Sequence, residues 1–340
     1  MSYRIGSFNL KRLGLSSISD SHPRDLQTIA NIIRDEQFDI VALQEVFSGG
    51  KAFTFTSKEH SKDNIINALG GNKRWGFAWA DADGGDYEGY AFIWNLDRVQ
   101  LAETEVMGKY GMYTRTFQPR ICKVNREYMH RKPYYARFIT KSGGFELRLI
   151  CIHTHYGKED NEFNRKIRQK ELKTLLTDIY PQISDRRYGR FNTSYTILLG
   201  DYNAELWTKK SRKWQEPLKT KRGGKKPLIM DTDENGITLS EKYNNREIIT
   251  VQDQLTTLRS KEGDRGDEKR STYGFSYNYD HFSYEEKQFE GVKVSVKRIR
   301  RAVTAYCKPK GGDYNTDFEK YYKTVSDHVP IMMELEFNNR

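Results

Sequence analysis

Short apolar runs recur along the chain, and stretches with helical periodicity lie between them. Each run has the length of a strand and is rich in β-branched or aromatic residues. The runs that predict strands are residues 3–8, 38–43, 90–94, 134–139, 147–152, 195–199 and 329–337. Two sets of apolar residues each share one face of a predicted helix, and they are Leu26, Ile29 and Ile33, and Leu172, Leu175, Leu176 and Ile179. Strands therefore alternate with helices, which predicts a layered α/β domain built on central sheets.

No internal repeat and no Pro/Ser-rich linker divides the sequence, so we expect a single domain over residues 1–340. Residues 204–270 form a basic insertion in this domain, because they lack sustained periodicity and carry many cationic side chains. These side chains include Lys209, Lys210, Arg212, Lys213, Lys219, Lys221, Arg222, Lys225 and Lys226. A long segment without clear structure is usually functional or disordered. Two interpretations stay open, a solvated loop or a nucleic-acid contact surface, since runs of like charge are often only solvated.

The overall charge favours a polyanionic partner. The chain has 57 Lys and Arg residues against 46 Asp and Glu residues, which gives a net charge of +11. This excess points to nucleic acid before an acidic membrane surface. With 36% hydrophobic residues the chain can bury a core, which excludes a disordered protein. No apolar run approaches the roughly 18 to 20 residues of a membrane span, so we expect no membrane protein.

The cysteines and the amino terminus favour an intracellular, cytoplasmic protein. Cys122, Cys151 and Cys307 leave one residue over in any pairing, which fits a reducing compartment better than a disulfide framework. They form no Cys-x-x-Cys pair, so a structural zinc site is disfavoured. Met1 leads directly into a strand-like segment without the apolar core of a signal peptide.

Acidic, amide and imidazole side chains lie where the predicted strands begin or end. They are Asn9, Glu45, Glu88, His153, Asp201, Asn203, Asp280, Asp327 and His328. Strand ends on one edge of a layered α/β fold converge, which is where such folds place their sites. Carboxylates gathered there would repel one another without a cation, and oxygen ligands suit Mg²⁺ or Mn²⁺. A metal beside histidine–carboxylate pairs can hydrolyse a phosphate ester, so the pattern and the charge together predict a nuclease.

Each of these motifs is weak by itself. An Asp-His dipeptide or a Gly-Asp-x-Asn stretch is more often a turn or a helix cap than a site. Glu45 alone fits a carboxylate at a helix N-terminus, and His153 alone fits a buried structural histidine. The functional interpretation gains weight because seven separate segments each supply a ligand or base at a strand end.

With these segments in order, the sequence resembles the endonuclease/exonuclease/phosphatase superfamily, which includes pancreatic-type deoxyribonuclease, exonuclease III and the abasic-site endonucleases. The matching stretches are Ser7-Phe-Asn9, Leu43-Gln-Glu45, Glu88-Gly-Tyr-Ala-Phe, His153-Thr-His-Tyr-Gly, Gly200-Asp-Tyr-Asn203, Tyr279-Asp280 and Ser326-Asp-His-Val-Pro-Ile. In motif detail the chain is most similar to the pancreatic-type nucleases. It lacks the cysteine that often follows Gly-Asp-x-Asn-Ala in the secreted members, and residues 203–280 are longer than expected.

The resemblance implies a four-layer α/β/β/α sandwich of two packed mixed sheets, with one active site across their top. It implies metal ligation by Asn9, Glu45 and Asp327, and orientation of water, phosphate or a second metal by Asp201 and Asn203. Further implied roles are His328 as general base or electrostatic partner aligned by Asp280, His153 at the scissile phosphate with Glu88 as its partner, and Lys11 and Arg131 as phosphate contacts. His155 is an alternative to His153.

The favoured function is therefore a Mg²⁺-dependent DNA endonuclease that cleaves by in-line attack of water. The alternatives are an RNA nuclease or another phosphoesterase of the superfamily, because phosphate contacts do not sense the sugar. A catalytically inactive nucleic-acid-binding protein is less favoured, because the acids, amides and histidines of the motifs are all present. The basic insertion is expected to add DNA affinity through Lys219, Lys221, Arg222, Lys225 and Lys226.

Overall fold

The computed structural model describes residues 1–13, 24–47, 65–81, 88–109, 111–125, 127–157, 161–188, 193–204, 225–226, 246, 248–251, 254–259, 274–307 and 316–338. All of the predicted metal-ligating and catalytic residues fall within these ranges. Of the predicted DNA-binding residues in the basic insertion, Lys219, Lys221 and Arg222 lie outside them, and Lys225 and Lys226 form a short strand.

Eighteen strands and six α-helices make up the described fold. The strands are β1 Ser2–Leu13, β2 Ile40–Phe47, β3 Trp75–Asp81, β4 Glu88–Asn95, β5 Val99–Leu101, β6 Glu103–Gly108, β7 Gly111–Thr116, β8 Arg120–Ile121, β9 Tyr134–Thr140, β10 Glu146–His153, β11 Ser194–Asp201, β12 Lys225–Lys226, β13 Ile248–Val251, β14 Leu258–Arg259, β15 Gly274–Phe275, β16 Asp280–Glu285, β17 Val292–Arg298 and β18 Ile331–Phe337. The helices are α1 Leu26–Asp35, α2 Ile65–Leu69, α3 Glu162–Thr174, α4 Tyr180–Ser184, α5 Arg301–Tyr306 and α6 Asp317–Thr324.

Two mixed sheets form the centre of the fold. The first has six strands in the order β17-β18-β1-β2-β4-β3, in which β1 and β2 are the parallel pair. The second has eight strands, with the path β12-β13-β16-β11-β10-β9-β5 and β8 beside β9, and its parallel pair is β10 and β11. Two small hairpins, β6-β7 and β14-β15, stand apart from these sheets.

Three apolar clusters hold the layers together. One lies between the two sheets and includes Phe92, Phe138 and Met333. A second packs the outer face of the six-stranded sheet against helices, as Ile33 of α1 shows. The third packs the eight-stranded sheet against α3, α4 and the π-helical turn Leu175–Ile179 that joins them. The layer order is therefore helix, sheet, sheet, helix, and the predicted α/β/β/α sandwich is confirmed.

The sequence pattern explains why the outer helices form where they do. Asp25 is the N-cap of α1, and its side chain accepts a hydrogen bond from the backbone N–H of Thr28 at 2.9 Å. Its apolar face, which includes Ile29, Ile32 and Ile33, is fully buried against the sheet. Burying one such side chain stabilises the fold by roughly 1.5–3 kcal/mol.

The strands predicted from apolar runs are all present, but the basic insertion differs from expectation. Residues 204–270 were expected to lack regular structure, yet Ile248–Val251 is the strand β13, which pairs with β12 and β16 in the eight-stranded sheet. Four strand-like residues inside a polar stretch give little periodicity, so the sequence does not indicate this strand. Its pairing with neighbouring strands determines its structure. β3 and β17 were also missed. None of the described helices is long and apolar enough to cross a membrane.

Candidate active site

The site lies where the parallel pairs of the two sheets end. Asn9 lies in β1 and Glu45 in the adjacent β2, near the carboxyl ends of their pairing. His153 and Asp201 are the last residues of β10 and β11, and they are partners in register. Carboxyl ends of parallel strands share one edge of a sheet, so the fold gathers these four side chains at one edge of the sandwich.

Backbone irregularities turn the side chains of the first sheet toward one another. The pairing register shifts between Asn9 and Leu13 of β1, and between Leu43 and Val46 of β2. Lys11, Arg12 and Glu45 have φ values of 43°, 62° and 56°, which non-glycine residues adopt uncommonly. Such conformations persist where the surrounding structure enforces them, and they cluster at functional sites.

The loop after β11 is held just as firmly. A Cβ atom at Gly200, whose φ is 146°, would lie 2.0 Å from the carbonyl oxygen of Ile152, so only glycine allows this approach to β10. Asn203 has a φ of 46°, and its backbone N–H donates to Asp201 Oδ1 at 2.8 Å. The Asn203 amide also donates to the carbonyl of Thr154 at 2.9 Å. These contacts fix Asp201 between the ends of β10 and β11.

One oxygen of Asp201 is the meeting point of the site. Asn9 Nδ2 donates to Asp201 Oδ2 at 3.0 Å. The Nε2 atoms of His153 and His328 lie 3.5 Å and 3.6 Å from the same oxygen. Asp201 and both rings are at least nine-tenths buried. The imidazoles of His153, at the end of β10, and His328, in the segment before β18, therefore converge on a single buried carboxylate.

His328 is oriented by Asp280. Its Nδ1 lies 2.8 Å from Asp280 Oδ2, and Asp280 pairs in register with Asp201 across β11 and β16. Burial alone would lower the pKa of His328, but the negative charges of Asp280, Asp201 and Asp327 raise it well above its usual value. The ring is thereby fixed with Nε2 directed to the centre of the site.

His153 is oriented by Glu88 in the same manner, with a cation added. His153 Nδ1 lies 2.5 Å from Glu88 Oε1, and Arg131 Nε lies 2.8 Å from Glu88 Oε2. Burial would raise the pKa of Glu88, but His153 and Arg131 lower it. Burial and Arg131 act to lower the pKa of His153, while Glu88 and Asp201 raise it above the usual value.

A second group of carboxylates lies beside this centre. Asn9 Nδ2 donates to Glu45 Oε1 at 3.0 Å, and the backbone N–H of Arg12 donates to Glu45 Oε2 at 3.1 Å. Lys11 Nζ lies 3.2 Å from Asp327 Oδ2 and 3.9 Å from the centre of the Tyr322 ring. Burial and nearby carboxylates, Asp327 among them, raise the pKa of Glu45 despite the opposing charge of His153.

These residues fit a divalent cation. Burial, with the charges of Glu88 and Asp327, raises the pKa of Glu45, and a nearby cation would stabilise its ionised form. Glu45 and Asp327 supply only hard oxygen donors. The amide nitrogen of Asn9 faces Glu45 and Asp201, so metal ligation by Asn9 requires the amide oxygen to turn to that side. A further set of donor atoms, from Asp201, Asp280 and His328, lies within 4.8 Å of one another and mixes oxygen with nitrogen.

Several supporting contacts carry no distinct signal in the sequence. Ser326 Oγ donates to the carbonyl of Asn9 at 2.7 Å and accepts the backbone N–H of His328 at 3.0 Å, which ties β1 to the histidine. Tyr90 accepts the backbone N–H of His153 through its hydroxyl at 3.0 Å. Each depends on the three-dimensional approach of a backbone group. Ser326 does lie within a sequence motif, directly before Asp327-His328, but the motif does not indicate its contacts.

His155, the alternative to His153, belongs to a different cluster. Its Nε2 lies 2.9 Å from Asn164 Oδ1 of α3, and its backbone N–H donates to Glu171 at 2.6 Å. Glu171 also accepts the backbone N–H of His130 at 2.6 Å. The ring partners therefore distinguish the two histidines, since His153 contacts Glu88 and His155 contacts the helix.

Known proteins resemble this chain in sequence profile and in fold. A sequence profile described as the Endonuclease/Exonuclease/phosphatase family matches residues 6–281. No curated protein sequence matches the chain significantly.

Solved structures share the fold at low sequence identity. ANGEL2, a 2',3'-cyclic phosphatase in complex with adenosine-2',3'-vanadate, is 15% identical with a TM-score of 0.51, covering 98% of this chain and 95% of its own. Humanized D. rerio TDP2 is 14% identical with a TM-score of 0.50, covering 98% of this chain and 99% of its own. An endonuclease/exonuclease/phosphatase family protein from Bacteroides thetaiotaomicron is 15% identical with a TM-score of 0.47, covering 100% and 99%.

Proposed function

Because the chain belongs to the endonuclease/exonuclease/phosphatase family, whose members hydrolyse phosphate esters, we propose that it is a metal-dependent nuclease. DNA is the favoured substrate, and cleavage occurs within the strand by in-line attack of water. The observation that carries the proposal is the convergence of His153 and His328, each held by its own carboxylate, on one oxygen of Asp201. One of two oriented imidazoles on one centre can serve the attacking water, and the other can serve a non-bridging oxygen of the phosphodiester.

The proposed roles follow from the contacts. His328, held by Asp280, accepts a proton from the attacking water at Nε2 or stabilises the charge that develops there. Asp201 and Asn203 orient that water and the phosphate. His153, held by Glu88 and accompanied by Arg131, donates to a non-bridging phosphate oxygen, and Lys11 is a further phosphate contact.

The proposed metal ligands are Asn9, Glu45 and Asp327. A bound Mg²⁺ or Mn²⁺ would neutralise the carboxylates of Glu45 and Asp327 and would polarise the phosphate as a Lewis acid. Lys11, which pairs with Asp327 at 3.2 Å, would then exchange that carboxylate for phosphate. The pairing of Lys11 with Asp327 keeps the acid compensated while no cation neutralises it.

Charge supports nucleic acid as the substrate class. The net charge of +11 favours a polyanion, and a phosphodiester backbone presents such a charge along its length. The sugar type is not read by phosphate contacts, so RNA and small phosphoesters are the competing substrates.

A substrate panel tests the proposal. Purified protein is incubated with supercoiled plasmid, linear duplex DNA, single-stranded DNA and RNA, each with Mg²⁺ or with a chelator. We expect Mg²⁺-dependent cleavage of DNA, including nicking of the supercoiled plasmid, which offers no free end. The His328→Ala variant, purified identically, controls for contaminating nucleases.

The other results of the panel separate the alternatives. Cleavage of RNA alone would replace DNA by RNA as the substrate. Hydrolysis of a small phosphoester without cleavage of any nucleic acid would make the protein another phosphoesterase of the family. Nucleic-acid binding without any hydrolysis would identify an inactive binding protein.

A further inference from the structure

Three tyrosine rings contact one another near the proposed catalytic residues, and two of them are stacked. The rings of Tyr277 and Tyr279 are parallel within 2°, with centroids 5.0 Å apart. The ring of Tyr156 lies 6.1 Å from that of Tyr279 at an angle of 53°. Tyr279 is 8% exposed, whereas Tyr277 at the outer end is 37% exposed. Tyr279 is therefore buried between two rings, and Tyr277 keeps part of its surface exposed.

Backbone contacts place Tyr277 and Tyr279 close to His328. Tyr279 directly precedes Asp280, the partner of His328. Tyr277 donates its backbone N–H to Thr257 Oγ1 at 2.8 Å and accepts the N–H of Thr257 through its carbonyl at 3.0 Å. Thr257 in turn forms an isolated antiparallel bridge with His328. Tyr277 therefore pairs with the residue that bridges to His328, the proposed base.

Packing alone accounts for the inner rings but not for the outer one. Tyr279 is buried between two neighbours, as a ring that fills space should be. Tyr277 keeps more than a third of its surface exposed while it lies parallel to Tyr279. Offset-stacked rings attract a further flat ring at their open end, and nucleobases stack on aromatic side chains in this way.

We propose that Tyr277, stacked on Tyr279 with the inclined ring of Tyr156 behind it, forms a stacking platform for one unpaired nucleobase of the strand whose phosphate lies between His153 and His328. The inference rests on the proposed nuclease function and adds a preference for nucleic acid with an unpaired base near the cleaved bond. A base inside a duplex has both faces covered by its neighbours, so a platform of this kind gives it no added contact. An unpaired or displaced base regains on Tyr277 the stacking that it lacks elsewhere.

The charges around the platform suit such a strand. Arg168, which is 6% exposed, has its guanidinium carbon 5.9 Å from the centre of the Tyr156 ring. Arg131 lies near the end of β10, with Nη1 3.4 Å from the carbonyl of Thr154. Cations beside the rings favour the phosphates that flank a stacked base.

Substitutions of Tyr277 test the platform. Tyr277→Leu keeps an apolar side chain but removes the ring, Tyr277→Phe keeps the ring, and Tyr113→Leu on the β6-β7 hairpin is the matched exposed control. KM and kcat are measured with Mg²⁺ on a single-stranded oligodeoxyadenylate, with thermal unfolding as a check of folding. We expect Tyr277→Leu to raise KM by about five-fold or more and to change kcat little. Tyr277→Phe should restore the wild-type KM.

The substrate supplies an independent readout. Replacing the nucleotides next to the cleaved bond with abasic ones should raise the KM of the wild type and abolish the difference between wild type and Tyr277→Leu. A wild-type KM in Tyr277→Leu, or an equal increase in Tyr277→Phe and Tyr277→Leu, would overturn the platform and leave the nuclease proposal intact.

Failure of the nuclease proposal gives a different result. If the wild type cleaves no nucleic acid, binding of adenosine 5'-monophosphate and of ribose 5-phosphate is compared by calorimetry. Tighter binding of the adenine nucleotide that is lost in Tyr277→Leu supports the platform. Equal affinity for the two ligands overturns it.

Discussion

The two histidines of the site are held alike, but their electrostatic surroundings differ. Each uses Nδ1 to contact a buried carboxylate and directs Nε2 to Asp201. Burial lowers the pKa of His328, but the charges of Asp280, Asp201 and Asp327 raise it well above the usual value. His153 has the guanidinium of Arg131 on the far side of Glu88, and that positive charge opposes the rise in its pKa.

This difference indicates a division of labour. A ring surrounded by acids is a strong proton acceptor, which suits the group that takes a proton from water. His153 and Arg131 share the carboxylate of Glu88, and the positive charge of Arg131 beside the ring suits contact with a phosphate oxygen. A cation at Glu45 and Asp327 would offset part of the negative charge and bring His328 closer to its neutral form at physiological pH.

Removal of divalent cations should have the largest effect, because it acts on both halves of the site. Without a cation, Glu45 and Asp327 and the substrate phosphate repel one another, so DNA cleavage should fall to background. The measurement is the rate of plasmid cleavage in excess chelator, with metal content determined by elemental analysis. Asn9→Ala or Glu45→Gln should raise the Mg²⁺ concentration required. Full activity of verified metal-free protein would contradict the metal assignment.

Breaking the His328 half should come next. His328→Ala or Asp280→Asn should lower turnover by about 10²-fold or more while leaving the fold intact, because general acid–base help is lost. If the two residues act as a unit, the double variant should be little slower than the slower single variant. Near-normal turnover of either single variant would show that the wrong pair has been assigned to proton transfer.

Removing Arg131 should make the two halves more alike. In Arg131→Met the pKa of His153 should rise, because the positive charge that lowers it is gone. The value of kcat/KM should fall by about ten-fold, the scale of one hydrogen bond to a charged group. Proton NMR of the His153 ring in metal-free protein follows the pKa, and Arg131→Lys is the charge-conserving control. An unchanged His153 titration would remove the basis for the comparison.

The smallest effect on turnover should come from the basic insertion. Neutralising Lys219, Lys221, Arg222, Lys225 and Lys226 should weaken binding to DNA of any sequence and leave turnover at saturating DNA close to wild type. The salt dependence of log K should become shallower by about 0.9 per lost duplex phosphate contact. Binding titrations at several salt concentrations measure this slope. An unchanged slope would identify the segment as a solvated loop.

The sequence predicts the site better than it predicts the contacts that build it. Asp201 and His328 are recognisable because each follows or precedes a clear apolar strand within a short motif. The links through Ser326 and Tyr90 were not predicted, because they join a side chain to the backbone of a distant strand. Likewise, no local pattern indicates that Lys11 pairs with Asp327, 316 positions away.

The fold, too, could be predicted only in part from the sequence. Strands with long apolar runs are evident from the sequence, and the resemblance supplied the layer order. β13 was missed because its pairing with β12 and β16, rather than its own four residues, makes it a strand. The positive φ values of Lys11 and Glu45 were also unpredictable, since nothing but the surrounding structure holds a non-glycine residue there.

The most direct measurement of the central claim concerns Asp201, where both halves meet. Turnover of DNA cleavage is compared for the wild type, Asp201→Asn and Asp97→Asn, an exposed control, at saturating Mg²⁺. The substitution keeps the shape of the side chain and removes the charge that both rings face. We expect Asp201→Asn to lose about 10²-fold or more in turnover with little change in thermal stability, and Asp97→Asn to match the wild type. Turnover near the wild-type value in Asp201→Asn would contradict the central claim.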